Sequence, residues 1–206
     1  AWYTFTNFEH FVEIYTTISS CIRTPDDIEL ITREFLDGQA AQNITYTEAT
    51  YTAYTLFKQS GIAWKDQLTA VNRAREWAKK ELGVDLGLVI DVVRELAPEE
   101  AMLVADWAID GFGNGVCAFG LSGVESVGPA TKFSDAFAKV KSAGLPITTH
   151  AGETAGPWSI EACLAVGADR IGHGVRCLED PELVARLRDS QTILEVCPSS
   201  NVCLGV

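Results

Sequence analysis

The sequence is poor in several features that would each point to a different kind of protein. It has no Cys-x-x-Cys pair, and its six cysteines, at 21, 117, 163, 177, 197 and 203, are scattered. That scatter argues against a disulfide framework, and the separation of Cys197 from Cys203 suits a zinc clip badly. The expectation is small apolar side chains buried in a reduced protein. No apolar run is long enough to cross a bilayer, which excludes a membrane-spanning reading. The opening residues, AWYTFTNFEHF, lack a basic stretch followed by an apolar core, so no secretory signal is expected and a cytoplasmic location is. Basic residues are scarce: 16 Lys and Arg stand against 28 Asp and Glu, for a net charge of −12. A surface of that sign repels phosphate backbones, which excludes nucleic acid as a partner and suits a small neutral substrate. Only three histidines are present.

What is there is ordinary globular material, 47% hydrophobic over 206 residues, enough to bury a core. From Asn43 onward, short apolar or β-branched runs alternate with stretches of helical period. This is the rhythm of a parallel sheet with crossover helices. Strands are predicted at 43–50, 84–92, 115–121, 146–150, 170–173 and 192–196. Helices are predicted at 64–82, from Pro98 onward, at 134–143 with a stop at Gly144, at 159–166 and at 181–189. Two further helices, 8–20 and 26–42, come first, the second with Thr24-Pro25 as N-cap and first-turn pair. No Pro/Ser/Gly-rich linker interrupts the chain, so 1–206 is expected to be a single domain. A doubly wound open sheet and an eight-stranded barrel both produce this rhythm.

The polar residues favour the barrel. His150, Gly152, Glu153, His173, Glu195 and Pro198 fall at or just past the C-terminal ends of three successive predicted strands. In a parallel barrel those ends converge on one mouth, where reactive groups gather. In THAGE (149–153), Gly152 permits a tight backbone path that turns His150 and Glu153 into one cavity. An imidazole can bind zinc, and a carboxyl raised in pKa by an apolar pocket can deliver a proton. The plain alternative is a His and a Glu in a solvated loop. In RIGHG (170–174), His173 between two glycines suits a general base or an electrostatic stabiliser, set against a core histidine bonded to backbone. In EVCPSSN (195–201), Glu195 is a candidate to orient His173 or another ligand, although the segment reads better as a fixed exit turn.

THAGE, RIGHG and EVCPSSN, in this order and spacing, resemble the signature segments of the adenosine and adenine deaminase family. The likeness extends through GLSGVES (120–126) and the helical region from IRTPDD to TEAT, so it covers essentially the whole chain. It implies an incomplete (β/α)8 TIM-type barrel of about six βα units behind N-terminal helices, with one Zn2+ at the C-terminal mouth. It also implies roles: His150 as zinc ligand, Glu153 as proton donor to the purine ring, His173 as the residue that positions and polarises the attacking hydroxide, and Gly123 as a backbone contact to the purine. The implied reaction is zinc-dependent deamination of a small-molecule purine nucleoside, adenosine to inosine and ammonia. Gly172 before the histidine resembles nucleoside-acting members, since free-adenine enzymes tend to carry Asp there. Adenine and aminodeoxyfutalosine are the alternative substrates, and a non-catalytic barrel binding protein is the alternative class.

Two departures from the family pattern stand out. The His-x-His pair of the family's first strand is missing; the remaining histidine, His10, lies in a predicted helix and matches no ligand position. The Asp-Asp pair of its last strand is missing too. The expectation is a domain truncated at both ends, inactive alone, whose full-length parent is active. Other zinc and nucleophile patterns do not fit. The cytidine-deaminase type needs His-x-Glu and Pro-Cys-x-x-Cys, whereas here the spacing is His-x-x-Glu and Cys197 precedes Pro198. A nucleophile elbow needs G-x-S-x-G, and GLSGV ends in Val124. The GFGNG cluster (111–115) follows a helix and precedes a strand, the reverse of a dinucleotide loop.

Overall fold

The structure, a computed structural model, describes residues 4–6 and 8–205. Six strands form one sheet: β1 (Tyr46–Tyr51), β2 (Asp85–Val93), β3 (Val116–Ser122), β4 (Ile147–Ala151), β5 (Arg170–His173) and β6 (Ile193–Glu195). Their spatial order is their chain order, β1 to β6 without a reversal, and β3–β4, β4–β5 and β5–β6 pair in parallel. This order settles what periodicity left open. A doubly wound sheet reverses direction at a switch point, whereas an unbroken sequential order is that of a (β/α)8 barrel.

By packing, the chain divides into two compact units. One runs to Leu88 and includes Gly113–Val116. Within it lie α1 (Phe8–Ser19), α2 (Pro25–Ala41), β1, α3 (Ala53–Ser60) and α4 (Trp64–Glu81). α2 begins as its sequence requires. Thr24 caps it and Pro25 opens its first turn, while Asp27 returns a bond to the cap backbone to complete a capping box. α2 packs on α4, with the Arg33 guanidinium 4.5 Å above the Trp77 ring. Buried Gln67 ties three segments together: it accepts from the Tyr51 hydroxyl at 2.9 Å and donates to the carbonyls of Ala53 and Ile62. Its polar atoms are thereby satisfied inside the core.

The other unit comprises Val89–Phe112 and the chain from Cys117 onward. It holds α5 (Pro98–Gly111), β3, α6 (Ser134–Ser142), β4, α7 (Pro157–Ala165), β5, α8 (Pro181–Asp189), β6 and α9 (Pro198–Leu204). β2 and β3 are nearly continuously apolar and buried, as strands covered on both faces require. Phe119 and Phe137 pack edge to face at 5.3 Å.

Two expectations need correction. α3 and α9 are helices that the sequence pattern did not predict; 198–201 in particular was read as a turn. The cysteines are not all buried: Cys163 and Cys177 are, Cys117 is half-buried, and Cys21, Cys197 and Cys203 are exposed, the last two beside or within short α9. All six are free thiols. None of the described helices is long and apolar enough to cross a membrane.

Candidate active site

The register of three strands assembles the site. His150 on β4 stands opposite Gly172 on β5, and Ala151 stands opposite His173. A methyl group at Gly172 would lie 3.3 Å from the His150 ring, so the bare glycine gives that imidazole its space. Both histidines therefore sit at the C-terminal strand ends, with their rings 5.4 Å apart.

His150 is fixed by its backbone neighbour. Its Nδ1 lies 3.1 Å from the Leu121 carbonyl oxygen on β3. A carbonyl only accepts, so Nδ1 is the donor, and Nε2 is the ring nitrogen left to face a ligand. This is the tautomer and tethering found in metal-ligating histidines. His150 thus fits zinc as one ligand, and tight zinc sites take about four. Among the described residues, no cluster of three or more His, Cys, Asp or Glu side chains is arranged to hold a metal.

Glu153 follows Gly152, whose φ of +65° turns the chain sharply out of β4. Its Oε2 lies 3.5 Å from Nε2 of His173. Burial pushes the Glu153 carboxyl above its usual range; the His150 ring opposes this, and the negative charge of Glu125 adds to it. A carboxyl shifted in this direction is suited to giving up a proton near neutral pH.

His173 is 7% exposed and adopts φ +64°, which is unusual for a residue with a side chain. Such a conformation costs about 1–3 kcal/mol and gathers at functional sites. Burial lowers the ring's pKa, against opposing contributions from the Asn201 amide and the Glu125 charge. The shifts of Glu153 and His173 both favour uncharged forms.

Glu195, a candidate partner for His173, takes the structural role that its segment favours. Glu195 accepts from the Thr148 hydroxyl at 3.2 Å and pairs with Arg170 at 2.9 Å, so it braces strands instead of orienting the ring. The side-chain amide of Asn201, in α9, lies 3.1 Å from Nδ1 of His173 and takes that place. Asn201 closes the EVCPSSN segment, but nothing in the sequence gives it a role of its own.

Gly123, just past β3, has φ +90°, and a methyl group there would meet the Glu95 carboxylate at 2.5 Å and the Arg94 backbone nitrogen at 3.0 Å. Only glycine fits. The residue most clearly missed by sequence reasoning is Glu125, two positions on. It is almost fully buried, and its carboxylate receives the backbone N–H groups of residues 152–155. Burial alone would raise its pKa; the nearby Ser159 hydroxyl and hydrogen bonds from the Ala155, Thr154 and Gly152 amides outweigh that and hold it below the usual glutamate range.

The structure thus brings His150, Glu153 and His173 together at the ends of β4 and β5. These features define the class: a (β/α)8-type protein with two imidazoles and a carboxyl gathered at its C-terminal strand ends. The adenosine deaminase family model matches residues 2–206. The chain belongs to that family. It is 37% identical over 98% of its length to an aminodeoxyfutalosine deaminase of Streptomyces coelicolor, covering 52% of that protein. It is 35% identical over 99% of its length to an adenine deaminase of Rhizobium leguminosarum bv. trifolii, covering 63% of it. The crystal structure of adenine deaminase from Arthrobacter aurescens superposes with a TM-score of 0.91 at 29% identity, over 98% of this chain and 62% of that one. An amidohydrolase from Burkholderia ambifaria with bound zinc matches at TM-score 0.88 and 25% identity, over 93% of this chain and 53% of that one. The chain therefore spans between about half and two thirds of these relatives.

Proposed function

We propose that the protein to which this chain belongs hydrolyses the amino group from the adenine ring of a small molecule, with adenosine as substrate, inosine and ammonia as products, and zinc as cofactor. The observation that carries this reading is the shared location of Glu153, raised in pKa by burial, and His173, 3.5 Å away. A bound zinc would be held in part by His150 Nε2 and would supply Lewis acidity that makes water a nucleophile near neutral pH.

The chain's own residues do the rest. Glu153 donates its proton to the ring nitrogen beside the amino-bearing carbon, which makes that carbon electrophilic. His173 positions and polarises the attacking water through Nε2, while the Asn201 side-chain amide donates to Nδ1 and keeps the ring in place for this. Water adds at the carbon and passes one proton to the amino nitrogen, the carbon–nitrogen bond breaks and ammonia leaves, and the added hydroxyl returns its remaining proton to Glu153 as the carbonyl forms. Gly123 presents backbone at the rim where the purine would lie. Gly172 suits a nucleoside, as in nucleoside-acting members of the family. A second reading, with adenine or aminodeoxyfutalosine as substrate, is favoured by what the relatives at 35% and 37% identity are named for.

The test is ammonia release by the intact protein from adenosine, adenine and aminodeoxyfutalosine, with and without a chelator. Chelator-sensitive release from adenosine supports the proposal. Release from only one of the other two transfers it to that substrate. No release from any of them points to a non-catalytic barrel relative.

A further inference from the structure

Four consecutive backbone N–H groups converge on one buried carboxylate. Glu125 is 2% exposed. Its Oε2 accepts from the Gly152 amide at 2.8 Å, and its Oε1 accepts from the amides of Glu153, Thr154 and Ala155 at 2.9, 2.7 and 3.2 Å. The Thr154 hydroxyl adds a contact at 3.3 Å. Successive N–H groups turned inward form an anion-binding nest, and here the anion is a side chain of the same protein. The left-handed turn at Gly152 is what allows the segment to wrap in this way.

The other end of the segment is held by the opposite charge. Arg94, fully buried, donates through Nη2 to the His150 carbonyl at 2.9 Å and through Nη1 to the Gly128 carbonyl at 2.6 Å. Residues 150–155 are thus anchored at one end by a buried cation and along their amides by a buried anion. Burying either charge is costly unless it is fully hydrogen-bonded. Both are directed at the one loop that carries Glu153. A reacting group on a loop must be held to within about half an ångström, and a supporting shell supplies that precision.

We propose that Glu125 is a positioning residue for Glu153: its buried carboxylate fixes the backbone of residues 152–155 so that the Glu153 carboxyl stays against His173. This rests on the deaminase reading of the site. Glu125→Gln is the direct probe, because the amide keeps the shape but turns an N–H toward groups that can only donate. In the intact protein we expect kcat for ammonia release to fall about 10²-fold, the loss that a displacement of about 1 Å produces. KM and zinc content stay close to wild type.

A purely structural role is separated by repeating the substitution in a Glu153→Gln background. If Glu125 acts through Glu153, the second change lowers kcat by less than about twofold, because the group being positioned is already gone. An equal loss in both backgrounds, or an unchanged kcat in the single variant, overturns the proposal. Should Glu125→Gln not fold, hydrogen exchange in the wild type decides. Slow exchange of amides 152–155 supports the clamp, and exchange as fast as an open loop overturns it. A wild-type protein that releases no ammonia removes the deaminase reading, and the proposal with it. An active wild type with an indifferent variant removes only the proposal.

Discussion

At the residue scale, the two glycines of RIGHG serve the histidines beside them. Gly172 lies under the His150 ring, where any side chain would press on it, and Gly174, at φ +68°, continues the left-handed path that His173 begins. The position of His150 is therefore set by its register partner and by the Leu121 carbonyl, and its Nε2 is the atom that the proposal gives to zinc. His150→Ala in the intact protein is expected to lower bound zinc by more than half while leaving the fold intact; metal analysis of the purified variant checks this, and an unchanged stoichiometry counts against the ligand role. The residues whose chemistry is carried by their own type, His150, Glu153 and His173, were legible in the sequence because each closes or follows a predicted strand. Glu125 and Asn201 were not. Their partners lie 27 to 30 residues away for Glu125 and 28 for Asn201. Glu125 moreover acts on backbone amides, which have no sequence signature.

At the element scale, apolar periodicity located every strand and most helices to within a few residues. The N-terminus of α2 shows why: Thr24, Pro25 and Asp27 each favour the same conformation, so local chemistry and fold agree. Thr24→Ala removes one side of that capping box and is expected to cost about 1 kcal/mol of stability, read as a lower urea midpoint with an unchanged slope. α3 and α9 escaped because their signals are weak or contrary. α3 has eight residues and no side-chain cap. α9 has seven and opens with Pro198, Ser199 and Ser200, which read as turn residues. The consequence was largest in α9, since that short helix is what delivers Asn201 to His173.

At the scale of the whole molecule, the sequential strand order was the one feature that periodicity did not decide, because pairing between strands depends on contacts distant in sequence. Acid stability follows from the second unit's buried carboxylate. The pKa of Glu125 is depressed on folding, so the unfolded chain holds the proton more tightly. The stability it contributes is present above the unfolded pKa and is lost as pH falls through the folded value. Glu125→Gln should therefore flatten the decline in unfolding free energy as pH falls below about 4.5, as measured by urea denaturation; a decline as steep as in wild type would show that Glu125 titrates alike in both states.

The account stands or falls on Glu153 giving a proton to the substrate while it rests against His173. The most direct measurement is the turnover of ammonia release by Glu153→Gln beside wild type, with zinc content determined on the same samples. The amide cannot donate that proton, so turnover is expected to fall by about 10²- to 10⁴-fold with zinc content unchanged. Turnover near the wild-type value at full zinc content would contradict the account.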